Sequence, residues 1–223
     1  RLDCLPNKYF IIELSARLKI IQRDTIKKVL PELIDRVEWL SELPKDFTGV
    51  IIANEVLDAM PAKRVRFSNG KFNELGVGFN KDGFCWRDFD VPFVNDSVRL
   101  PYDVEEGYTT EVNLHAMAWI KSLCDSIKEG TILLIDYGMD RSEYFHSQRN
   151  DGTLKCFYKH KAGNDPFCNI GIQDITTSVN FSDIADSAIK SGFKVSGYCT
   201  QAMFLISLGI EKYLLNEKDT NTR

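Results

Sequence analysis

Short apolar runs of strand length alternate with segments of helical periodicity along most of this chain. The runs lie at residues 9–13, 50–54, 131–135 and 193–198. Between the first two, a helical face begins after Ser15, a good N-cap residue, and ends near Pro31. A strand, a helix and another strand in succession predict a parallel unit with a right-handed crossover. We therefore predict an α/β fold with a doubly wound, mostly parallel sheet, in which the strand at 50–54 is buried on both faces.

Residues 63–103 follow a different pattern, which is typical of antiparallel strands. Asn69-Gly70 is a hairpin signal between two β-rich runs, and a second turn follows at 81–83. We predict an antiparallel β insertion at 63–103 within a core made of residues 1–62 and 104–223. Gly76 and Gly78 lie inside one of these ribbons, so we do not expect a phosphate-binding loop there.

The α/β pattern resumes after the predicted insertion. We expect a helix capped by Thr109 or Thr110 that continues to Ile127 and is ended by Gly130, followed by a strand at 131–135 and a long polar loop at 139–177. A short helix that is capped by Ser182, runs to Lys190 and is closed by Gly192 should come next, and then a strand at 193–198. A polar loop of that length is expected to have a function of its own.

Composition and charge exclude several classes of protein. With 43% hydrophobic and 27% charged residues, the 223-residue chain is expected to fold as a soluble globular protein. A net charge of −4 without a basic run disfavours a nucleic-acid partner, and no apolar stretch is long enough to span a membrane. The six cysteines are scattered as free thiols would be. Cys156, His160 and Cys168 have a poor spacing for zinc, so we expect no metal.

Polar clusters follow two of the predicted strands. The side chains are Asn54, Glu55 and Asp58 after the run at 50–54, and Asp136 and Tyr137 after the run at 131–135. Open α/β sheets bind their ligands at the carboxyl ends of the strands, so these residues are candidates for the reacting end of an active site. An ordinary polar turn leaving each strand is the alternative.

Five sequence segments together indicate a known family. They are residues 53–61 (ANEVLDAMP), 135–138 (IDYG), 149–154 (RNDGTL), His160 and 171–176 (GIQDIT). In this order, they closely resemble the MidA family of S-adenosylmethionine-dependent methyltransferases, over about residues 9–214. The resemblance implies a Rossmann-like methyltransferase fold, S-adenosyl-L-methionine as cofactor, and methylation of a protein arginine in a respiratory complex I subunit, in support of complex I assembly. It also implies a mitochondrial matrix location in a eukaryote, or a cytoplasmic one in a bacterium.

The same resemblance implies that this chain is a partial methyltransferase core. Family members carry a glycine-rich loop upstream of where this sequence begins and a further strand beyond where it stops. We therefore expect the chain on its own to lack part of the cofactor pocket and to be inactive.

Four residues are candidates for cofactor binding. Glu13, at the end of a strand, is expected to accept hydrogen bonds from the ribose hydroxyls, as the equivalent acid does in dinucleotide folds. A solvated glutamate near a helix start, favoured by the helix dipole, is the alternative. Glu38 or Trp39 is expected to border the adenine, although Trp39 is also a good core residue. Asn54 is the fourth candidate.

Glu55 and Asp58 are our best candidates for holding the methyl acceptor. If the turn after the strand is helical, residues at i and i+3 share a face, and the two carboxylates are placed to grip a guanidinium. The alternative is that Asp58 caps a helix near Met60. Asp136 and Tyr137 are expected to close the acceptor side.

The long loop is expected to act as a lid that carries Arg149, His160 and Asp174. His160 is a candidate general base, although a single histidine in a polar loop is more often a structural hydrogen-bonding group. Two other functions stay open. One is a non-catalytic assembly factor that binds a partner through the inserted ribbons, and the other is a methyltransferase with a different acceptor.

Overall fold

The computed structural model describes residues 5–212, which form two compact units. In this part of the chain, the first unit consists of residues 5–49 and 125–131, and the second of residues 50–124 and 132–212. In chain order, the strands are β1 (Tyr9–Ile12), β2 (Val37–Leu40), β3 (Phe47–Asn54), β4 (Lys63–Ser68), β5 (Lys71–Asn80), β6 (Gly83–Pro92), β7 (Thr109–Val112), β8 (Ile127–Ile135), β9 (Gly138–Met139), β10 (Lys155–Tyr158), β11 (Lys161–Gly163), β12 (Asp174–Thr176) and β13 (Val179–Asn180). The helices are α1 (Ala16–Val29), α2 (Leu114–Ser126), α3 (Arg141–Tyr144), α4 (Phe181–Lys190), α5 (Gln201–Ser207) and a 3₁₀ helix at Pro31–Arg36.

The first unit begins with the predicted strand–helix–strand arrangement. Strands β1 and β2 are parallel, with Tyr9 opposite Val37, and α1 connects them. Ser15 is the N-cap of α1, and its hydroxyl accepts a hydrogen bond from the amide of Leu18 at 3.2 Å. The parallel crossover predicted from the start of the sequence is therefore confirmed, with β2 as its second strand.

Strands β3 and β8 pair with each other. Gly130 lies inside β8, where an added Cβ would collide with the carbonyl oxygen of Gly49. Gly130 therefore permits a close backbone approach, and the prediction that it ends a helix was wrong. The predicted strands at 50–54 and 131–135 are confirmed, and both begin earlier than expected.

Only one face of β3 is covered. Val50 and Ile52 are 63% and 62% exposed, whereas Ala53 on the other face is buried. The prediction of a strand buried on both faces was therefore wrong, because an apolar run does not show whether a second layer covers the strand.

The second unit contains a four-stranded antiparallel sheet with the order β6-β5-β4-β7. Asn69 and Gly70 form the predicted hairpin turn, with φ values of 52° and 76°. The sheet packs around a small apolar core that includes Val65, Phe72 and Tyr108. Antiparallel pairing within residues 63–103 is confirmed, whereas the division of the chain into a core and an insertion stays a prediction.

Strand β7 replaces the predicted start of a helix. Thr109 and Thr110 are buried in this strand, since β-branched side chains fit a covered sheet position well. Asn113 instead caps the start of α2, since its Oδ1 accepts the amide of Ala116 at 2.8 Å. Ile127, predicted on the same helical face, is the first residue of β8.

The segment predicted as one long loop, 139–177, is largely folded. Strands β11-β10-β12 form an antiparallel sheet, and Lys159 and His160 make the two-residue turn between β10 and β11 with φ values of 47° and 63°. Strands β9 and β13 are parallel. These strands are short and polar, so their sequence lacks the apolar signal on which strand prediction depends.

Two predictions near the end of the described chain were wrong. The N-cap of α4 is Asn180 and not Ser182, since Asn180 Oδ1 accepts the amide of Ser182 at 3.2 Å. Residues 193–198 form no strand in the described structure, and Val195 and Tyr198 there are exposed. Gly192 follows α4 with φ 86°, as expected for a helix end.

The strands of residues 5–212 pair into five small sheets. The α/β class is confirmed, and a single doubly wound sheet stays a prediction. No helix in this range is both long enough and apolar enough to cross a membrane.

Candidate active site

The turn after β3 is held by the carboxylate of Asp136, at the end of β8. Asp136 Oδ2 accepts the backbone amides of Val56, Leu57 and Asp58 at 3.2, 2.9 and 3.3 Å. Its Oδ1 accepts the amide of Tyr137 at 2.8 Å. Successive amides that converge on one oxygen form a backbone nest for an anion. Asp136 therefore shapes the turn that carries the candidate acids.

Two further contacts fix this turn. The side chain of Leu57 is only 1% exposed and anchors the turn in the core. Asn113 Nδ2 donates to the carbonyl oxygens of Leu57 and Met60 at 3.1 and 3.2 Å. The start of α2 is thereby tied to the segment that follows β3.

The turn is not helical, contrary to the geometry expected for the two acids. Glu55 has φ 49°, in the left-handed region, and residues 55–60 contain no helix. Asp58 therefore caps no helix near Met60, and the alternative interpretation of Asp58 was also wrong. Glu55 and Asp58 nevertheless line the same cavity, because the nest around Asp136 shapes the turn in place of helical spacing.

An open cavity of about 400 Å³ lies within the second unit. Most of its lining residues carry polar side chains; they are Glu55, Asp58, Tyr137, Thr153, Lys155, Phe157, Asp174, Thr176, Thr177 and Ser178. Three carboxyl groups and one ammonium face this space. The formal charge of the lining therefore favours a cationic ligand.

One wall of the cavity is a face of the small antiparallel sheet. In the register of β10 and β12, Lys155 lies opposite Thr176, and Phe157 lies opposite Asp174. Residues directly opposite in an antiparallel pair project from the same face. An aromatic ring and a carboxylate therefore stand side by side at this wall.

Asp58 is the most perturbed acid of the cavity. Its Oδ1 is buried and has no hydrogen-bond partner. Burial, followed by the negative charge of Asp136, raises the pKa of the Asp58 carboxyl above its ordinary value. Because Asp58 also lines the cavity, a cationic ligand there would offset the cost of its partly buried negative charge.

Tyr137 lies next to Glu55 at the open side. A hydrogen bond to the Glu55 carboxylate raises the pKa of the Tyr137 hydroxyl. The phenol therefore stays protonated and acts as a donor to Glu55. Both residues line the cavity.

A buried ion pair that the sequence did not predict supports the cavity. Glu111 is 2% exposed, and its Oε1 lies 3.2 Å from Arg64 Nε. Its Oε2 accepts the amide of Thr153 at 2.7 Å and the Thr153 hydroxyl at 3.1 Å. Arg64 also binds Asp151 Oδ1 at 2.6 Å. Burial raises the pKa of Glu111 despite these partners.

The same network extends to the cavity lining. Thr153 Oγ1 accepts the amide of Ser178 at 3.1 Å, and both residues line the cavity. Gly152 has φ 76°, and a Cβ there would collide with the Glu111 carboxylate. This packing explains the glycine within the segment at 149–154.

The other predicted loop residues lie elsewhere. His160 is exposed in the β10–β11 turn and does not line the cavity. Arg149 Nη2 binds Glu143 Oε1 at 2.7 Å, which is a structural ion pair. Asn54 is the exposed last residue of β3. General-base catalysis by His160 and cofactor binding by Asn54 stay predictions.

The predicted cofactor-side residues belong to the first unit. Glu13 follows β1 directly, and its Oε1 accepts the amide of Ser15 at 2.8 Å. Its Oε2 accepts Gln22 Nε2 at 3.1 Å. Gln22 Oε1 in turn accepts the indole N–H of Trp39 at 2.9 Å. Glu13 and Trp39 are thus brought together, and sequence reasoning missed the glutamine between them.

The Glu13 carboxylate offers hydrogen-bond acceptors, which are what the ribose hydroxyls of S-adenosyl-L-methionine would need. Each Glu13 oxygen accepts one N–H and keeps further acceptor capacity for a hydroxyl. Glu38 is placed differently, since its carboxylate lies 4.0 Å from Lys8 Nζ at an exposed position in β2.

The described part of the chain contains no cluster of metal ligands. Among residues 5–212, no three His, Cys, Asp or Glu side chains are grouped to hold a metal ion. Cys85, Cys156, Cys168 and Cys199 are free thiols. Cys4, the sixth cysteine, lies outside the described residues.

Comparison with known proteins gives a consistent family. The family described as "Putative S-adenosyl-L-methionine-dependent methyltransferase" matches residues 3–199. The protein arginine methyltransferase NDUFAF7 homolog, mitochondrial, of Caenorhabditis elegans is 30% identical over 181 residues, which cover 78% of this chain and 40% of that protein. The Drosophila melanogaster protein of the same name is 25% identical over 175 residues, which cover 74% of this chain and 38% of that protein.

Two crystal structures from Burkholderia thailandensis have the same fold. One, bound to S-adenosyl-homocysteine, has a TM-score of 0.88 and 38% identity, and the match covers 97% of this chain and 57% of that chain. The other, in a native form, has the same TM-score and identity, with coverage of 97% and 59%. This chain spans about 40% of the length of the curated relatives that it matches.

The family match and the solved structures agree with the five sequence segments, so the resemblance found from the sequence is confirmed. S-adenosyl-L-methionine is the cofactor of the family, and S-adenosyl-homocysteine is what remains of it after methyl transfer. This chain belongs to that family of S-adenosyl-L-methionine-dependent methyltransferases.

Proposed function

We propose that the intact protein methylates an arginine side chain of another protein, a subunit of respiratory complex I, and thereby supports assembly of that complex. The observation that carries this proposal is the acidic cavity formed by Glu55, Asp58 and Asp174. The names of the Caenorhabditis and Drosophila relatives, which are protein arginine methyltransferases, support the acceptor class. Complex I as the target rests on the resemblance of the five sequence segments.

The cavity suits a guanidinium group. A guanidinium is planar, carries a permanent positive charge and presents five N–H donors in a fixed arrangement. The carboxylates of Glu55 and Asp58 line the same cavity, so two acceptor groups are available to such a ligand in our proposal. Carboxylates bind guanidinium with short, charge-assisted hydrogen bonds.

The cavity wall formed by β10 and β12 adds an aromatic side chain. Phe157 is 43% exposed and lies opposite Asp174 in the sheet. An aromatic face attracts a guanidinium, and an adjacent carboxylate restricts its orientation. In our proposal, Phe157 and Asp174 bind the acceptor side chain that Glu55 and Asp58 hold by its end.

Positioning is the main contribution that we assign to these residues. S-adenosyl-L-methionine, when bound, supplies the electrophilic methyl group. Fixing the acceptor nitrogen in a productive direction removes much of the entropic part of the barrier. Carboxylates that concentrate the positive charge on two guanidinium nitrogens leave the third nitrogen more nucleophilic.

On the cofactor side, we propose that Glu13 holds the ribose hydroxyls. Charge-assisted hydrogen bonds of this type contribute about 1.5–3 kcal/mol each. Glu13→Ala in the intact protein should therefore weaken the binding of S-adenosyl-homocysteine by roughly ten-fold or more. Unchanged affinity by calorimetry would remove the ribose assignment.

The test of the function is direct identification of the methylated product. Intact protein is incubated with methyl-labelled cofactor and an extract of its own cells, and the labelled residue is identified by mass spectrometry. We expect label on arginine of a complex I subunit. Label on another residue or on a small molecule would support a methyltransferase with a different acceptor. Failure of the intact protein to bind cofactor would support a non-catalytic assembly factor.

A further inference from the structure

We propose that Gln22 is a positioning residue for cofactor binding, which connects the ribose-side carboxylate of Glu13 to the indole of Trp39. The inference rests on the proposed ribose role of Glu13 and adds a residue that carries no charge and lies in the middle of α1. Gln22 is half-buried, donates to Glu13 Oε2 at 3.1 Å and accepts from Trp39 Nε1 at 2.9 Å.

The orientation of the Gln22 amide is fixed by the chemistry of its two partners. An indole N–H only donates, and an ionised carboxylate only accepts. The carbonyl oxygen of Gln22 must therefore face Trp39, and its NH₂ group must face Glu13. A flipped amide would place two donors, and then two acceptors, against each other.

This arrangement holds Glu13 in one conformation. The amide of Ser15 binds one carboxylate oxygen and Gln22 binds the other, so both ends of the carboxylate are fixed before a ligand arrives. A site whose side chains are ordered in advance loses less entropy when its ligand binds. The remaining acceptor capacity, distributed over the two oxygens, matches two neighbouring hydroxyls.

Trp39 is fixed by the same residue and by one other. Arg23 lies over the indole ring, with its guanidinium carbon 4.9 Å from the ring centre. Gln22 binds the indole N–H from the same helix. One turn of α1 therefore determines where the indole and the Glu13 carboxylate lie relative to each other.

The experiment measures affinity for S-adenosyl-homocysteine and for its 2′,3′-dideoxy analogue by calorimetry, using the intact protein. In Gln22→Leu, which removes both hydrogen bonds at similar volume, we expect S-adenosyl-homocysteine to bind about ten-fold more weakly. The affinity for the dideoxy analogue should fall much less in this variant, since the analogue has no hydroxyls for Glu13 to bind.

Two further variants separate positioning from packing. Gln22→Glu keeps the size and the acceptor for Trp39, but it places a second negative charge against Glu13. We expect this variant to bind S-adenosyl-homocysteine at least as weakly as Gln22→Leu. Thr25→Val, on the same helix, removes a hydroxyl that bonds only to the backbone carbonyl of Ile21, and we expect its affinity to match the wild type.

The outcomes distinguish this inference from the ribose proposal itself. Weakened binding in Glu13→Ala with unchanged binding in Gln22→Leu would overturn the role of Gln22 alone. Unchanged binding in Glu13→Ala would overturn both. An equal loss for both ligands in Gln22→Leu would show a general packing effect and also overturn the inference. If Gln22→Leu does not fold by thermal melting, Gln22→Asn replaces it, with the same expected selectivity for the hydroxyl-bearing ligand.

Discussion

The Asp136 carboxylate accepts the backbone amide of Asp58 at 3.3 Å, together with the amides of the two preceding residues. One acid at the end of β8 thus determines the position of another acid on the turn after β3. Asp136 itself does not line the cavity. Asp136 thus fixes the turn, and Asp58, which lines the cavity, is the acid that we propose binds the acceptor.

Asp136→Asn should therefore lower the free energy of unfolding and also change the affinity of the cavity for the acceptor. The variant keeps the shape of the side chain but loses the charge that attracts four amides. We expect the free energy of unfolding to fall by about 1.5–3 kcal/mol, the scale of a hydrogen bond to a charged group. Urea denaturation measures this change.

Asp140→Asn is the matched control for Asp136. Asp140 also accepts backbone amides, those of Ser142 at 2.8 Å and Glu143 at 3.0 Å, but it caps α3 and does not line the cavity. Asparagine is as good a helix N-cap residue as aspartate, so the free energy of unfolding should change little in this variant. Asp140→Asn should also leave acceptor affinity unchanged. Equal acceptor affinity in both variants would contradict the role of Asp136 in shaping the turn.

Asp58→Asn should stabilise the protein at neutral pH while it impairs methyl transfer. Burial raises the pKa of Asp58 in the folded state, so the folded protein holds this proton more tightly than the unfolded chain. The ionised group therefore reduces stability above its folded pKa, and the neutral amide removes that effect. We expect the melting temperature of the variant at pH 7 to equal or exceed that of the wild type. Above pH 7, the variant should also be no less stable than the wild type. A lower melting temperature at pH 7 would contradict this account.

Acceptor binding should depend on pH for the same reason. A guanidinium needs the ionised form of Asp58, and the raised pKa means that this form is lost at a higher pH than for an ordinary aspartate. We expect KM for the acceptor to rise as pH falls through that pKa, whereas in Asp58→Asn the rise should disappear from this range. Initial rates measured across a pH series check this. An identical pH profile in both proteins would exclude Asp58 from the acceptor site.

The sequence predicted that polar residues follow β3 and β8, but it did not predict how these residues are arranged. These residues were singled out because open α/β sheets bind their ligands at the carboxyl ends of strands. Their common cavity, however, depends on Asp136 acting as the anchor of a nest and on Leu57 as a core residue. Neither contact can be recognised in the local sequence. The Asp136 contact joins segments about eighty residues apart, and the burial of Leu57 depends on tertiary packing.

Asp174→Asn should weaken acceptor binding with little effect on the rate at saturation. Asp174 is exposed at the cavity wall, so we expect KM to rise by about three- to ten-fold, the scale of one hydrogen bond in a partly solvated site. Asp165→Asn is the control, since Asp165 lies in the same region but binds the Phe167 amide and Cys168 and does not line the cavity. A similar KM in both variants would remove Asp174 from the acceptor site.

The buried ion pair gives a prediction about stability. Glu111→Gln removes the buried one of the two charged partners of Arg64 and places an NH₂ group near the Thr153 donors. We expect a loss of about 3–5 kcal/mol in the free energy of unfolding. Asp151→Asn, which removes the exposed partner of Arg64, should cost at most about 1 kcal/mol. Urea denaturation measures both changes. An equal loss of unfolding free energy in the two variants would show that burial does not determine how much each contact stabilises the fold.

The sequence also did not reveal the network around Glu111. Residues 109–112 were assigned to a helix start because threonines are common caps, and this concealed the pairing of Arg64 with Glu111 across β4 and β7. The short strands at 155–176 were missed because their positions are mostly polar. Both errors arise from tertiary contacts that outweigh local propensity.

The central claim is that the acids after β3 hold the methyl acceptor and not the cofactor. Glu55→Gln tests it most directly, since the amide keeps the size of the side chain and a hydrogen bond from Tyr137. Methyl transfer to arginine is measured with the intact protein at saturating cofactor, alongside calorimetry with S-adenosyl-homocysteine. We predict that transfer falls by about a hundred-fold, the scale of one preorganised electrostatic contact, while affinity for S-adenosyl-homocysteine changes little. Normal methylation by Glu55→Gln, or loss of S-adenosyl-homocysteine binding, would contradict the account.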